Sequence, residues 1–286
     1  MNTTSFDPER YKTGQRQEWN SVATGWRKWW PIIEARTQKV SDRFMELAGI
    51  GENQVVLDVA TGIGEPSLTA ARRVGPGGKV VATDPSEGML QIASDRAAEA
   101  GLPNVEFLNL DAGGLSFGEG AFDAATCRWG LMFVPDLRAA LQGIRQTLKP
   151  GGKFVSTVWG PPEKAVGIAL PMGVVKEMLN LPPPPPDAPN FFKLSPPGVL
   201  EGALTDAGFM KVQGESMMID FEFDGVQDYL SFLQEVSAPI TMMLSDQPAE
   251  KVAAVWEGIA TAAGKFVGED GHVRLPSKTI VAVGER

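Results

Sequence analysis

The run Asp58-Val59-Ala60-Thr61-Gly62-Ile63-Gly64-Glu65-Pro66 sets the architecture of this chain. Before it, Gln54 to Val59 is an apolar run that reads as a strand buried on both faces. After it, Pro66 to Val74 reads as a helix, with proline at an early position and Gly75 just past its end. Glycines in a strand-to-helix turn let a ligand approach the backbone closely, and the helix start behind them carries unpaired N–H groups. The loop is not a dinucleotide fingerprint, because Ser67 stands where the third glycine is needed.

Working outward, the same alternation repeats. Lys79 to Thr83 is a second strand, and Ser86 to Ala100 a helix opened by a serine N-cap and closed by Gly101. Val105 to Leu110 and Ala121 to Cys127 are further strands. Leu137 to Leu148 is a helix stopped by Lys149-Pro150-Gly151-Gly152, and Lys153 to Trp159 is a fifth strand. Strands alternating with helices predict a parallel α/β sheet. Beyond it, Ala165 to Leu181 reads as a helix running into the stiff spacer Pro182 to Pro186. Ser195-Pro196 is expected to cap a helix over Pro197 to Ala207, stopped by Gly208. Phe209 to Phe223 and Val273 to Val283 read as strands, with Val226 to Val267 helical between them and broken at Pro239 and Pro248.

The expected organisation is a helical lid over residues 1–50 and a ligand-binding core over 51–160. A helical insertion with the polyproline spacer (161–194) follows, then a core helix and strand (195–224), a helical cap (225–271) and the last core strand (272–286).

Composition narrows the function. The 286 residues are 43% hydrophobic and 21% charged, which suits a large buried core and excludes a disordered chain. A net charge of −9 without any Lys/Arg run disfavours a nucleic-acid partner. One cysteine, Cys127, excludes an intrachain disulfide and a multi-cysteine zinc site, and one histidine, His272, excludes a histidine-rich metal site. No apolar leader or membrane-spanning run occurs, so the expected location is the cytoplasm.

Asp84 lies twenty residues beyond Gly64 at the end of the second strand, where a carboxylate can accept both hydroxyls of a ribose. Asp111-Ala112 ends the third strand at the same edge and can accept from an adenine amino group. The ordered set Asp58-x-x-x-Gly62-x-Gly64, Thr83-Asp84-Pro85-Ser86-x-x-Met89-Leu90, Asp111-Ala112, Phe122-Asp123 and Leu148-Lys149-Pro150-Gly151-Gly152-Lys153-Phe154 resembles a class I S-adenosylmethionine-dependent methyltransferase of the UbiE-like, type 11 branch. The resemblance covers Val22 to Trp159 motif by motif. It implies a Rossmann-like, mostly parallel seven-stranded sheet with an antiparallel last strand, helices on both faces, and helical cap insertions. It also implies that Asp58, Ala60, Thr61, Gly62 and Gly64 line the methionine part of S-adenosylmethionine. Asp84, Pro85 and Ser86 would hold the ribose, Met89, Asp111 and Ala112 the adenine, and Cys127 and Arg128 would close the site after the fourth strand. Asn-Pro-Pro-Tyr, found after that strand in many enzymes that methylate nucleobases or amides, is replaced by Cys127-Arg128-Trp129-Gly130-Leu131.

Methyl transfer from a sulfonium asks mainly for alignment and exclusion of water, so few catalytic groups are required. His272 and Arg128 are the weak candidates for a catalytic role. The expected acceptor pocket takes Trp129, Met132, Phe133 and Trp159 from the strand ends, and Trp26 and Trp30 from an N-terminal stripe Trp26, Trp29, Trp30 that equally suits a packed helix. Seven of eleven methionines lie between Met172 and Met243, which suits an adaptable apolar pocket or ordinary core. The expected activity is direct in-line transfer to a small apolar or aromatic acceptor, leaving S-adenosylhomocysteine. The alternative is a protein of the same fold that binds the cofactor and catalyses a non-methylating rearrangement, or only binds. A nicotinamide-dependent oxidoreductase is disfavoured by the absent third glycine and the absent Tyr-x-x-x-Lys pair. An N-terminal helix exchanged between subunits would cover exposed tryptophans, making a homodimer the expected partner besides the acceptor.

Overall fold

The computed structural model describes residues 6–185 and 188–286. Residues 1–5 of the expected lid and Pro186 of the polyproline run lie outside the described residues. The first element, α1, is one helix over Pro8–Ala48 with Pro31 inside it. The α/β alternation follows as β1 (Val55–Val59), α2 (Ser67–Val74), β2 (Lys79–Asp84), α3 (Glu87–Glu99), β3 (Val105–Asn109), β4 (Phe122–Arg128), α4 (Leu137–Thr147) and β5 (Leu148–Trp159). Helices α5 (Val166–Leu179) and α6 (Val199–Asp206) precede β6 (Met210–Phe223). Then come α7 (Val226–Val236), α8 (Ala238–Ser245), α9 (Ala249–Gly264) and β7 (Val273–Glu285).

The seven strands form one sheet in the order β3-β2-β1-β4-β5-β7-β6. Strands β1 to β5 pair in parallel, and β7 runs antiparallel to β5. Strands β1 and β4 are buried along nearly their whole length, including Val56, Leu57, Val59, Ala124 and Ala125, as a parallel sheet covered on both faces requires. The strand order reverses at β1, which has β2 on one side and β4 on the other. Ligands of open α/β sheets bind outside the carboxyl ends of the strands at such a reversal. No helix among the described residues is long and apolar enough to cross a membrane.

Two local expectations are corrected. Ser195 does not cap a helix: its hydroxyl donates to the Phe192 carbonyl, and α6 starts instead after Gly198, at φ 80°. The run Lys149 to Gly152 does not precede β5 but belongs to it, because Leu148 already pairs with Phe122. An irregularity between Phe122 and Ala124 absorbs the extra residues. There a Cβ on Gly152 would stand 2.9 Å from the Asp123 carbonyl oxygen, so glycine is required.

The chain divides into two compact units. The first is drawn from Met1–Arg36, Pro161–Ala188 and Met218–Lys278, and the second from Thr37–Gly160, Pro189–Met217 and Thr279–Arg286. In the first, α5 packs on α8 and α9, and α7 packs on the same two helices. The helical stretch breaks where expected, near Pro239 and at Pro248. Trp29 meets Phe232 edge-on at 5.6 Å, and Phe223 contacts both Tyr229 and Phe232. The second unit holds the parallel strands and the glycine loop.

Candidate functional site

The loop after β1 is held from three sides. The Thr61 amide donates to the Thr83 carbonyl at 2.9 Å, tying the loop to β2. The Gly62 amide donates to Asp84 Oδ2 at 2.9 Å. Arg96 of α3 donates to the Ile63 carbonyl. Ser67, in the third glycine's place, makes a 2.6 Å hydroxyl pair with Thr61 and donates to the Gly64 carbonyl at 3.0 Å. The serine therefore braces the turn with hydroxyl bonds. Gly62 has φ 56° and Gly64 φ 109°, both left-handed values that favour glycine. A Cβ on Gly62 would meet nothing within 4 Å, so the loop presents open backbone there.

Asp84 is the hub of this edge. Its Oδ1 accepts the Ser86 amide at 2.9 Å, while Ser86 Oγ accepts the Met89 amide at 3.1 Å as the N-cap of α3. Burial pushes the Asp84 carboxyl up to about 6, against the pull of the Ser86 and Gly62 amides. Pro85 follows it, and Met89 is buried beneath the helix start. Asp111 and Ala112 lie in the turn after β3, where Asp111 Oδ1 accepts the Gly113 amide at 2.6 Å.

Asp58 is completely buried at the end of β1. Its Oδ1 accepts from the Thr126 hydroxyl of β4 at 2.7 Å, whereas Oδ2 has no hydrogen-bond partner among the described residues. Burial pushes this carboxyl up to about 7, opposed by the Thr61 and Thr126 hydroxyls and the Arg128 charge. Arg128 ends β4, donates to Ser41 Oγ (3.2 Å) and Thr37 Oγ1 (3.3 Å) of α1, and lies 5.1 Å from the Trp129 ring centre. Cys127 is fully buried with its thiol pKa raised, first by burial and then by Asp58; a thiol in that state is packing, not a nucleophile.

After β4 the chain turns through Trp129 at φ 56°. Its ring stacks on Trp159, from the end of β5, at 4.6 Å and 13° between planes. The indole Nε1 donates to Thr279 Oγ1 at 3.0 Å. Met132 is buried in a single 3₁₀ turn, and Phe133 meets Phe191 edge-on at 5.1 Å. The second unit thus gathers the loop residues Asp58, Ala60, Thr61, Gly62 and Gly64 with Asp84, Asp111, Arg128, Trp129 and Trp159 at one sheet edge. A shallow groove of about 640 Å³ lies at the opposite edge, lined by Arg72, Lys79, Asn104 and Glu106 among others.

The other expected residues fall in the first unit. Trp26 Nε1 donates to the Val236 carbonyl at 3.1 Å, Trp29 Nε1 to Glu235 at 3.0 Å, and Trp30 is buried. The partners of Trp26 and Trp29 thus lie within the first unit. His272 is half-exposed, with Nδ1 3.6 Å from Asp224 and 3.8 Å from Glu222, beside the Arg274–Asp270 ion pair.

Three site residues escaped the sequence. Glu65 is buried in the glycine loop, although a glutamate before proline reads as surface. Gly130 is where the β4 turn touches the β1 turn: a Cβ there would stand 2.6 Å from Ala60 Cβ and 2.8 Å from Cys127 Sγ. Phe191 follows the proline-rich sequence 182–190, with no periodicity to flag it.

Comparison with known proteins gives the family. A family described as "Methyltransferase domain" matches residues 56–152. The demethylmenaquinone methyltransferase of Lactococcus lactis is 36% identical over 141 residues, 48% of this chain and 54% of that protein. The ubiquinone/menaquinone biosynthesis C-methyltransferase UbiE of Teredinibacter turnerae is 31% identical over 172 residues, 58% of this chain and 69% of that protein. The chain belongs to the UbiE-like branch of the class I S-adenosylmethionine-dependent methyltransferases. Its match spans just over half the length of the Lactococcus protein and 62% of a Pseudomonas putida UbiE. Among solved structures, the YcgJ protein of Bacillus subtilis superposes with a TM-score of 0.59 at 20% identity, over 87% of this chain and 98% of that one, which shows a shared fold. The UbiE-like family's cofactor fits the residues present: Gly62 leaves open backbone, and Asp58 Oδ2 is a buried acceptor with no hydrogen-bond partner among the described residues.

Proposed function

We propose that this chain transfers the methyl group of S-adenosylmethionine to a small apolar or aromatic acceptor, leaving S-adenosylhomocysteine. The observation that carries the reading is the clamp between Asp84 and Gly62, inside the stretch that the methyltransferase family matches and at a strand-order reversal. In this reading Asp84 holds the ribose, Met89, Asp111 and Ala112 the adenine, and the loop from Asp58 to Gly64 the amino-acid end. Bound there, the cofactor supplies an electrophilic methyl group on a sulfonium.

The protein's work is then orientation and exclusion of water. The Trp129–Trp159 stack offers a flat apolar wall at the edge where the cofactor loop ends, which suits a ring-bearing acceptor. Met132 and Phe133, next along the chain, belong to the acceptor pocket of this reading, and Trp26 and Trp30 to its lid. Arg128 is a guanidinium with donors and no acceptor, so it supplies positive charge rather than a base. His272 would serve only an acceptor whose proton must leave. The enzyme is taken as cytoplasmic. The relatives' names make a demethylated quinone the first defined acceptor to try.

The test is to incubate purified protein with S-adenosylmethionine and a demethylmenaquinone, and to quantify S-adenosylhomocysteine and methylated quinone together. Equal amounts of both support the reading and the acceptor class. Tight cofactor binding with no S-adenosylhomocysteine from any small acceptor would favour the non-methylating alternative.

A further inference from the structure

We propose that Glu65 is the second carboxylate of a two-acid seat, shared with Asp58, that receives the α-ammonium group at the amino-acid end of S-adenosylmethionine. The inference rests on the methyl-transfer reading above and adds a residue to its cofactor site.

Glu65 is 3% exposed and Asp58 0% exposed. Each carboxylate spends one oxygen on a threonine hydroxyl: Glu65 Oε2 accepts from Thr69 at 2.6 Å, and Asp58 Oδ1 from Thr126 at 2.7 Å. Each leaves the other oxygen, Glu65 Oε1 and Asp58 Oδ2, buried with no hydrogen-bond partner among the described residues. A buried carboxylate oxygen left unsatisfied is costly, and two of them in one loop are unusual.

The two acids act on one another: the Glu65 charge raises the Asp58 carboxyl, and the Arg128 charge lowers both. Burial is the main influence on Glu65, with Arg96 and, 3.9 Å from Oε1, Arg72 also facing it. Arg128, Arg96 and Arg72 offset the charge of the two acids without hydrogen-bonding either free oxygen, so what the pair lacks is a donor, which a ligand N–H group would supply.

The shape of the vacancy in hydrogen bonding selects the cation. An ammonium has three N–H donors and no acceptor, which matches two waiting oxygens. A sulfonium has no N–H to give. A divalent metal needs about six oxygens and would face the Arg128 guanidinium. Asp84 is not counted in the seat, because neither of its oxygens is left without a hydrogen bond.

Calorimetry on the full chain tests this with three probes: S-adenosylmethionine, S-adenosylhomocysteine and 5′-methylthioadenosine, which keeps the nucleoside and lacks the amino acid. Glu65→Gln keeps the size of the side chain and an oxygen for Thr69. It should weaken the first two probes about tenfold to a hundredfold, the scale of one charge-assisted hydrogen bond, and leave the third unchanged. Equal weakening of all three would make Glu65 a structural residue and overturn the seat, as would no weakening at all. Should the variant fail to fold, the wild-type protein answers alone. An S-adenosylhomocysteine analogue with hydrogen in place of the α-amino group should bind at least tenfold more weakly than the parent, and equal affinity would refute the seat. Wild-type protein that binds none of the three probes overturns the methyl-transfer reading itself, a different failure from a normal wild type with an indifferent Glu65→Gln.

Discussion

Asp84, the last residue of β2, accepts the backbone amide of Gly62 at 2.9 Å and so fixes the turn that follows the neighbouring strand. Its other oxygen accepts the Ser86 amide, also at 2.9 Å, at the start of α3. One carboxylate therefore sets both the glycine loop and the helix that would lie under the adenine. Asp84→Ala frees the loop and removes the ribose acceptor together. Calorimetry should show S-adenosylmethionine affinity falling by about a hundredfold or more, the sum of two charge-assisted hydrogen bonds. Unchanged affinity would show that the nucleoside lies elsewhere.

Stability should fall on the alkaline side of the range. Burial holds Asp58 at about 7 and Asp84 at about 6, both above the ordinary carboxylate value. A carboxyl raised in the folded state stabilises the fold fully below its unfolded pKa and loses that contribution as pH rises through the folded one. Glu215 behaves oppositely, because its hydrogen bond to Arg43 lowers it, and its contribution is lost as pH falls. Cofactor-free protein should thus melt at a higher temperature at about pH 5.5 than at about pH 8. Asp58→Asn should shrink that difference in a calorimetric melt; an unaltered difference would remove Asp58 as its source.

The contact between the β1 and β4 turns leaves no room for a methyl group at Gly130. Gly130→Ala must push back Ala60 and Cys127, and overpacking of this kind costs about 1–3 kcal/mol. A urea titration should show that loss as a lower midpoint.

Tyr229 is the converse case. Its ring is buried against Phe223, and its hydroxyl has no hydrogen-bond partner among the described residues. Tyr229→Phe removes an unsatisfied polar group, so stability should hold or rise by about 1 kcal/mol. A clear loss on urea titration would reveal a partner for the hydroxyl.

Trp129→Ala separates acceptor from cofactor. Removing the stack on Trp159 should raise the acceptor KM about tenfold, the scale of one aromatic pair, while S-adenosylmethionine affinity stays within about twofold. Loss of both in parallel would make the stack a part of the fold alone.

What the sequence discloses here follows from how local each signal is. The strand-to-helix alternation from Val55 to Trp159 and the Ser86 cap depend on neighbours a few residues away, and both stand in the structure. Ser195 has the right local chemistry for a cap and still turns to the Phe192 carbonyl, because the helix begins only at Val199, after Gly198. Glu65 is harder still. Its burial depends on Thr69, Arg72 and the packing of the turn between β1 and α2, so nothing in the string Gly64-Glu65-Pro66 distinguishes it from a surface acid. The tryptophans of α1 show the same limit: their spacing predicts a stripe, whereas the partners of Trp26 and Trp29, at Val236 and Glu235, lie some two hundred residues away.

The most direct test is a transfer experiment with methyl-labelled S-adenosylmethionine and a metabolite extract of the source organism, read by mass spectrometry against a protein-free control. A labelled small molecule, formed with S-adenosylhomocysteine and abolished by Asp84→Ala, is the expected result. Label found only in protein or nucleic acid would contradict the small-acceptor reading, and no label despite bound cofactor and a complete extract would contradict methyl transfer.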